Sequence, residues 1–416
     1  MRSMEAVSNP PRLNRAFLAR FADWLVVGVA VALPWSTSAT GILIALWLMA
    51  LLPTLDAAAI KRELATTAGG LPVALWCLGA VGMLWANVDW TDRLGGLDGF
   101  NRLLAIPLLL TQFRRSERGG WVLLGFFVST ASVLLVSFVL VLAPGVTWRG
   151  SVVPGVPVHD TIFQGAAFLI SAFGALGYAG HEAERRRWRA ALTFTAIAAL
   201  YLANFAVTTI SRISLVVAPA LAGLLGWRIG RWKGLLGACL VGVAIGAALW
   251  LGSSSLRVRM NDTVLEIDQY LATDKATSLG MHAAFLKESL AIVAAAPLIG
   301  HGTGSISGEF RRMTAGETGA AGVVTANPHN QTFAVAIQLG TVGALVLWAM
   351  WIAHLVSFRG SGLAAWFGTV VVVENMISST AHSHLFDFNN GWLYVFGVGV
   401  LGGMTLRERK NAIEPV

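Results

Sequence analysis

The chain has 416 residues, of which 56% are hydrophobic and only 12% charged, with a mean hydropathy of +0.67. A soluble domain carries roughly a quarter charged residues, so this composition excludes an ordinary soluble protein and predicts a polytopic membrane protein. The net charge of +8 calls for no nucleic-acid partner, because Lys and Arg collect in the cytoplasmic loops of membrane proteins for insertion reasons.

About twelve apolar segments follow one another, long enough as a set to cross a bilayer. They run over 16–34, 38–54, 70–87, 97–113, 120–144, 161–180, 190–208, 211–227, 234–252, 331–356, 362–380 and 389–406. The N-terminal stretch MRSMEAVSNPPRLNRAFLAR is polar and basic, and no small-residue cleavage site follows the first apolar block. It predicts a first membrane segment and not a removed signal peptide. The fourth segment, LDGFNRLLAIPLLLTQF, is interrupted by Asn101 and Arg102. Cys77 and Cys239 both fall inside apolar blocks, so neither a structural disulfide nor a thiolate metal site is expected.

Basic residues mark every second connection. Arg2, Arg12 and Arg15 precede the first segment, and Lys61 and Arg62 follow the second. Arg114, Arg115 and Arg118 follow the fourth, and Arg185, Arg186, Arg187 and Arg189 the sixth. Arg228, Arg231 and Lys233 follow the eighth, Arg359 the tenth, and Arg407, Arg409 and Lys410 the last. The alternation predicts both termini on the cytoplasmic side and the other connections outward. The expected fold is therefore all-α, about twelve transmembrane helices forming one integral membrane domain. Residues 1–252 carry nine of the segments, 253–330 form one long outward loop, and 331–416 carry the last three. Within the loop, 278–296 has helical spacing with Phe285, Leu286, Leu290 and Val293 on one face, an amphipathic helix suited to the membrane interface.

The outward side collects unusual polar residues: Asp89, Asp92 and Arg93, then Arg149, His159 and Asp160, then Ser211 and Arg212, His329, and finally His382, His384 and Asp387. Arg212 sits in TTISRISLV, a short polar break between two apolar blocks. An ionisable group at such depth is costly and points to function, and a guanidinium fork matches phosphate oxygens; the plain alternative is a snorkelling interfacial arginine. Arg149 in a longer loop and Arg102 inside the fourth segment are weaker candidates for the same role, Arg102 having a carboxylate partner in the bundle as its alternative. In TANPHNQTFAVAIQLG, residues 325–340, Asn327 suits an N-cap and Pro328 the first helical position. His329 then falls in the first turn, where the helix dipole disfavours imidazolium and leaves a neutral ring able to take a proton. The alternative is a helix start whose histidine bonds a neighbouring loop.

PLIGHGTGS, 297–305, has glycines at 300, 302 and 304 but no strand before it, so it is no dinucleotide fingerprint. A turn folding the loop close to the membrane is the expectation, with an anion cradle of backbone N–H groups as the rival. HSH at 382–384, with Asp387 and with His159 and Asp160, would need convergence that no spacing enforces to become a metal site; no metal and no cofactor are expected. No Walker motif, nucleophile elbow or zinc-protease motif is present. The 16 Trp are explained by interfacial belts.

Together, SR at 211–212 opening a mid-chain helix, the loop TSLGMHAAFLKESLAIVAAAPLIGHGTGS, and PHNQTFAVAIQLGTVGALV with Gly340 and Gly343 resemble the O-antigen ligase and polymerase family of bacterial envelope enzymes. The resemblance covers the second half in sequence and the first half in topology. It implies a membrane-embedded, GT-C-type, metal-independent, inverting glycosyltransferase in the bacterial inner membrane, with its long loop and active site in the periplasm. The implied donor is a glycan on undecaprenyl pyrophosphate. The implied acceptor is a sugar hydroxyl of lipid A–core for a ligase, or another lipid-linked repeat for a polymerase. Carried onto this sequence, Arg212 binds pyrophosphate and His329 activates the acceptor hydroxyl, with Arg149, Arg102, Ser211, Asn330 and His282 as secondary pyrophosphate contacts. The sequence departs from the family at Met281–His282, where a histidine stands in place of an expected arginine; Arg149, Arg257, Arg259, Arg311 and Arg312 are the other cations available for the second phosphate. Two rival readings stand beside the ligase. One is a polymerase or protein O-oligosaccharyltransferase of the same family. The other is a twelve-helix transporter, against which stands the gathering of ionisable residues on one face and not at mid-membrane.

Overall fold

A computed structural model describes residues 14–413 except 144, 147, 149–152, 209–210, 253 and 274–275. The protein is 78% helical, with no strand among the described residues. The first half comprises α1 (Arg15–Ala32), α2 (Thr37–Leu51), α3 (Ala57–Leu64), α4 (Thr67–Gly82), α5 (Trp90–Asn101), α6 (Ala105–Phe113), α7 (Gly119–Leu142), α8 (Thr161–Glu184) and α9 (Trp188–Val207). The second comprises α10 (Ser214–Gly252), α11 (Ser254–Thr273), α12 (Ser278–Ala295), α13 (Ile306–Met313), α14 (Gln331–Ser357), α15 (Leu363–Ser378) and α16 (Phe388–Ile413).

Six helices among the described residues are long and apolar enough to cross a membrane, or seven if α3 and α4, bent by 86° across a short break, count as one span. Three of the other expected segments miss that standard for visible reasons. α1 carries Arg15, Arg20 and Asp23 within its 18 residues. α15 is 16 residues long. The fourth expected segment is split by a 3-10 turn at Arg102–Leu104, where the Asn101–Arg102 interruption lies. The eighth and ninth merge in α10, whose path breaks at Gly230 and Arg231, the latter at φ +48°. The backbones of Gly226 and Gly234 pack directly against each other there, and the Trp227 and Trp232 rings lie 5.0 Å apart, so the chain reverses into a helical hairpin. After the break, Trp232, Leu236, Leu240, Val243 and Leu251 are exposed. An exposed apolar face of this kind is what lipid contact requires.

Buried polar groups tie the helices where burial alone would leave them free to rotate. Thr130 on α7 bonds Ser171 on α8 and Tyr201 on α9 at 3.0 and 2.9 Å. Asn204 on α9 reaches Ser137 on α7 at 2.9 Å. Such bonds satisfy polar groups that would otherwise be stranded in hydrocarbon. Cys77 and Cys239 are free.

The segment 297–304 inserts against α14. α14 is broken at Gly340 (φ +63°, ψ −162°), which strips two N–H groups of their helical acceptors. The Thr341 N–H donates instead to the Pro297 carbonyl at 2.8 Å and the Val342 N–H to the Leu298 carbonyl at 3.3 Å. In return His301 and Gly302 donate to the carbonyls of Ile337 and Gln338 at 2.8 and 2.9 Å. Thr303 continues onto α4, its N–H donating to Gly82 at 3.1 Å and its hydroxyl to Gly79 at 2.5 Å. The break lies nine residues into α14, so the turn reaches roughly 14 Å below the start of that helix at 1.5 Å per residue. This fulfils the expectation of a turn close to the membrane domain and removes the anion-cradle reading. The N–H groups of residues 300–305 all donate within the protein and have none left for a ligand.

Expected 278–296 is α12, with a corrected face. Phe285 and Ile292 are buried with Ala284 and Ser289, whereas Leu286 and Leu290 are exposed. Phe285, Ile292, Ile306, Phe310, Ala334 and Ile337 form a separate small core joining α12 and α13 to the first half of α14.

Candidate active site

α8, α14 and α16 begin at one end of the bundle, where α9 and α15 end, and the polar residues of the connections converge there. Asn330, not Asn327, caps α14: its Oδ1 accepts from the Phe333 N–H at 3.1 Å and its Nδ2 donates to the Thr380 carbonyl at 3.1 Å. The Gln331 N–H donates to the Ser379 carbonyl at 2.9 Å. The docking of α15's end onto this start selects Asn330 over the equally suitable Asn327. Asn327 instead accepts from the His329 N–H at 2.9 Å and approaches His382 Nε2 at 3.4 Å.

His329 therefore lies just before the helix and not in its first turn, with φ +52°. A non-glycine residue in this left-handed region is uncommon and, at a polar recess, marks a functional candidate. Its ring stacks on Phe285 at 5.7 Å, and the rings of His282 and His382 meet it at 4.6 and 5.2 Å. Burial, then the neighbouring His282 and His382, push its pKa down from 6.5 to about 4. The ring is neutral, as the sequence predicts, but partial burial among histidines is the cause in place of the helix dipole. Burial also lowers His282, helped by His382 and Arg212, and lowers His382 against the opposing pull of Asp387 and Asp160. His384, its ring 5.2 Å from that of His382, is pushed to about 3 by burial. His159 is raised by its bond to Asp160 at 3.0 Å.

Arg212 contributes, after burial and His382, to the lowering of His282. Its guanidinium grips Glu266 of α11 with both nitrogens, Nη2 to Oε1 at 3.0 Å and Nη1 to Oε2 at 3.3 Å, while remaining about half exposed. Glu266 is held below the usual carboxylate range by that fork and by the Leu279 N–H. Ser211 is buried beside it, its carbonyl accepting from the Ser214 N–H at 3.0 Å.

Other candidates are engaged elsewhere. Arg102 is buried and donates to the carbonyls of Asp387 and Phe386, so it clamps the connection before α16. Arg257 donates to the Trp250 and Leu251 carbonyls at 2.5 and 3.0 Å, and Arg312 pairs with Glu309. Arg149, and the side chain of Arg259, lie outside the described residues. Among the described residues no group of three or more His, Cys, Asp or Glu is disposed to hold a metal. Phe285 and Glu266 join the site without having been singled out for it, whereas His382 stands among the outward polar residues of the sequence, in HSH.

Fold and site together define a helical membrane protein with a cationic arginine beside a recess of neutral histidines at one end of its bundle. Residues 197–348 match the family model described as O-Antigen ligase. The matched span covers less than half of the chain and contains Arg212, His282 and His329, with His382 beyond it. No curated protein matches the chain.

Proposed function

We propose that the protein is an O-antigen ligase of the bacterial inner membrane, transferring a glycan from undecaprenyl pyrophosphate to a sugar hydroxyl of lipid A–core at the periplasmic leaflet. The observation that carries the reading is the juxtaposition, inside the family-matched span, of a neutral His329 with His282 and, beside His282, the guanidinium of Arg212. The twelve-segment topology with both termini cytoplasmic, and the GT-C class, belong to this reading.

In the reaction the acceptor oxygen forms a bond to the anomeric carbon as the bond from that carbon to the pyrophosphate oxygen breaks. The acceptor proton passes to His329, and undecaprenyl pyrophosphate leaves with the bonding pair. Attack from the face opposite the leaving group inverts the anomeric centre. A ring near pKa 4 is a weak base on its own, and the negative charge of the donor across the transferred sugar favours the imidazolium and moves it toward the working pH. Arg212 stabilises the charge that grows on the leaving group. For this it exchanges Glu266 for phosphate oxygens. His282, at the position where the family has arginine, supplies the second contact once the donor's charge favours its protonation. Ser211 lines the same approach. Asn330 serves by fixing the start of α14 behind His329, and Arg102 by fixing the connection that carries His382 and His384.

A transfer assay with purified protein, undecaprenyl-pyrophosphate glycan and a chelator, offered either lipid A–core or lipid-linked repeat, tests the reading. Product on lipid A–core supports the ligase, and chain growth on the repeat alone makes the protein a polymerase. Arg212→Lys is expected to lower transfer by roughly 10–100-fold, since a point charge does not reproduce the bidentate fork; full activity in that variant would reduce its role to simple charge.

A further inference from the structure

A second polar site lies at the opposite end of the bundle. α16 starts beside Asp387 and runs unbroken for 26 residues. Arg407, near its far end, donates to the Ser116 carbonyl at 2.6 Å. At 1.5 Å per residue the separation from the histidine recess is about 30 Å. A cavity of about 790 Å³ opens there, its charged lining being Arg15, Arg20, Arg115 and Arg118 against Asp23 and Glu117, with Trp121 at its edge.

The charges in this cavity are unevenly spoken for. Asp23, buried at its floor, accepts from Gln112 Nε2 at 2.8 Å and from the Ser116 hydroxyl at 2.8 Å, and pairs with Arg118 at 3.4 Å. Arg115 pairs with Asp56 at 3.4 Å. Arg15 and Arg20 line the same space, are exposed, and make no ion pair among the described residues. The wall continues into an aromatic stripe. Phe17, Phe21 and Trp24 follow one face of α1 and are all exposed, and the Trp24 ring lies 5.9 Å from that of exposed Trp121. A cationic pocket that passes directly into an aromatic, bilayer-facing stripe fits a molecule with a phosphate at one end and hydrocarbon at the other.

We propose that this cavity binds the phosphate headgroup of an anionic phospholipid, with Arg15 and Arg20 on the phosphate and an acyl chain along Phe21, Trp24 and Trp121. The proposal is independent of the transfer chemistry. The probes are dioleoyl phosphatidylglycerol in phosphatidylcholine nanodiscs and, separately, inorganic phosphate, with retained lipid counted by native mass spectrometry on the full chain. Wild type is expected to retain phosphatidylglycerol over phosphatidylcholine, and Arg15→Gln/Arg20→Gln to weaken that retention by about fivefold per arginine removed. Arg15→Lys/Arg20→Lys should keep most of it, and Trp121→Ala should weaken the lipid alone. Unchanged retention in the glutamine variant, at wild-type elution and helicity, would overturn the proposal. So would inorganic phosphate displacing the lipid at equal concentration, which would make this a free-phosphate site.

Discussion

At the residue scale, the neutral histidines tie function to pH. His329 is held near pKa 4 and His384 near 3, with His282 and His382 lowered as well, against 6.5 for the free side chain. Between about pH 6.5 and 4 the unfolded chain therefore binds more protons than the folded one, and stability falls as pH falls through that window. Glu266 adds a loss of the same sign at lower pH, while His159, raised by Asp160, acts in the opposite sense near neutrality. The thermal midpoint of the purified protein should drop on acidification from neutral pH to about 5, and drop less in His329→Asn. A flat profile across that range would contradict the assigned protonation states. The chemistry of these residues was only partly legible in the sequence. Arg212 stood out because a guanidinium in a short polar break between apolar blocks is costly to hold there without an anionic partner. His329 stood out for a reason that did not survive, because two asparagines within four residues both suit a cap, and the choice between them is made by Ser379 and Thr380 from the far side of α15.

At the element scale, the decisive feature is the exchange of hydrogen bonds between 297–304 and the break in α14. The glycines at 300, 302, 304 and 340 advertise unusual backbone, but nothing in the spacing says that they answer one another across the chain. Gly340 is at φ +63°, and a Cβ there would collide with the Leu298 carbonyl. Gly340→Ala should cost at least about 1–3 kcal/mol from the left-handed backbone alone, read as a lower thermal midpoint with loss of transfer; a wild-type midpoint would show that the junction is soft. The face of α12 illustrates a related limit. Helical periodicity groups Phe285, Leu286, Leu290 and Val293, but which side meets the protein is set by Phe310 and Ile337 in other elements.

At the scale of the whole molecule, composition and the spacing of apolar blocks made the all-helical membrane class plain. The number of crossings was harder to read, since α1, α15 and the split fourth segment depend on partners to be stable at their lengths and charges. The basic connections meet at the end opposite the histidines: Arg228 donates to the Ser361 carbonyl at 2.7 Å, Arg409 to that of Ser357 at 2.9 Å, and Arg407 to that of Ser116. Positive charge thus serves packing. Fluorescent-protein and alkaline phosphatase fusions should report Val416 as cytoplasmic, and an insertion at Gly316 as periplasmic. The reverse pattern would turn the site toward the cytoplasm and remove the proposed substrates.

If His329 takes the acceptor proton, replacing it by Asn should remove transfer and leave the fold intact. Asparagine tolerates the left-handed backbone that this position requires, so the variant should fold, insert and retain donor. In the reconstituted assay with lipid A–core, transfer should fall by roughly 10²–10⁴-fold, the usual worth of a general base, at an unchanged thermal midpoint near neutral pH. Transfer at the wild-type rate would contradict the account and leave His329 as a strained helix start.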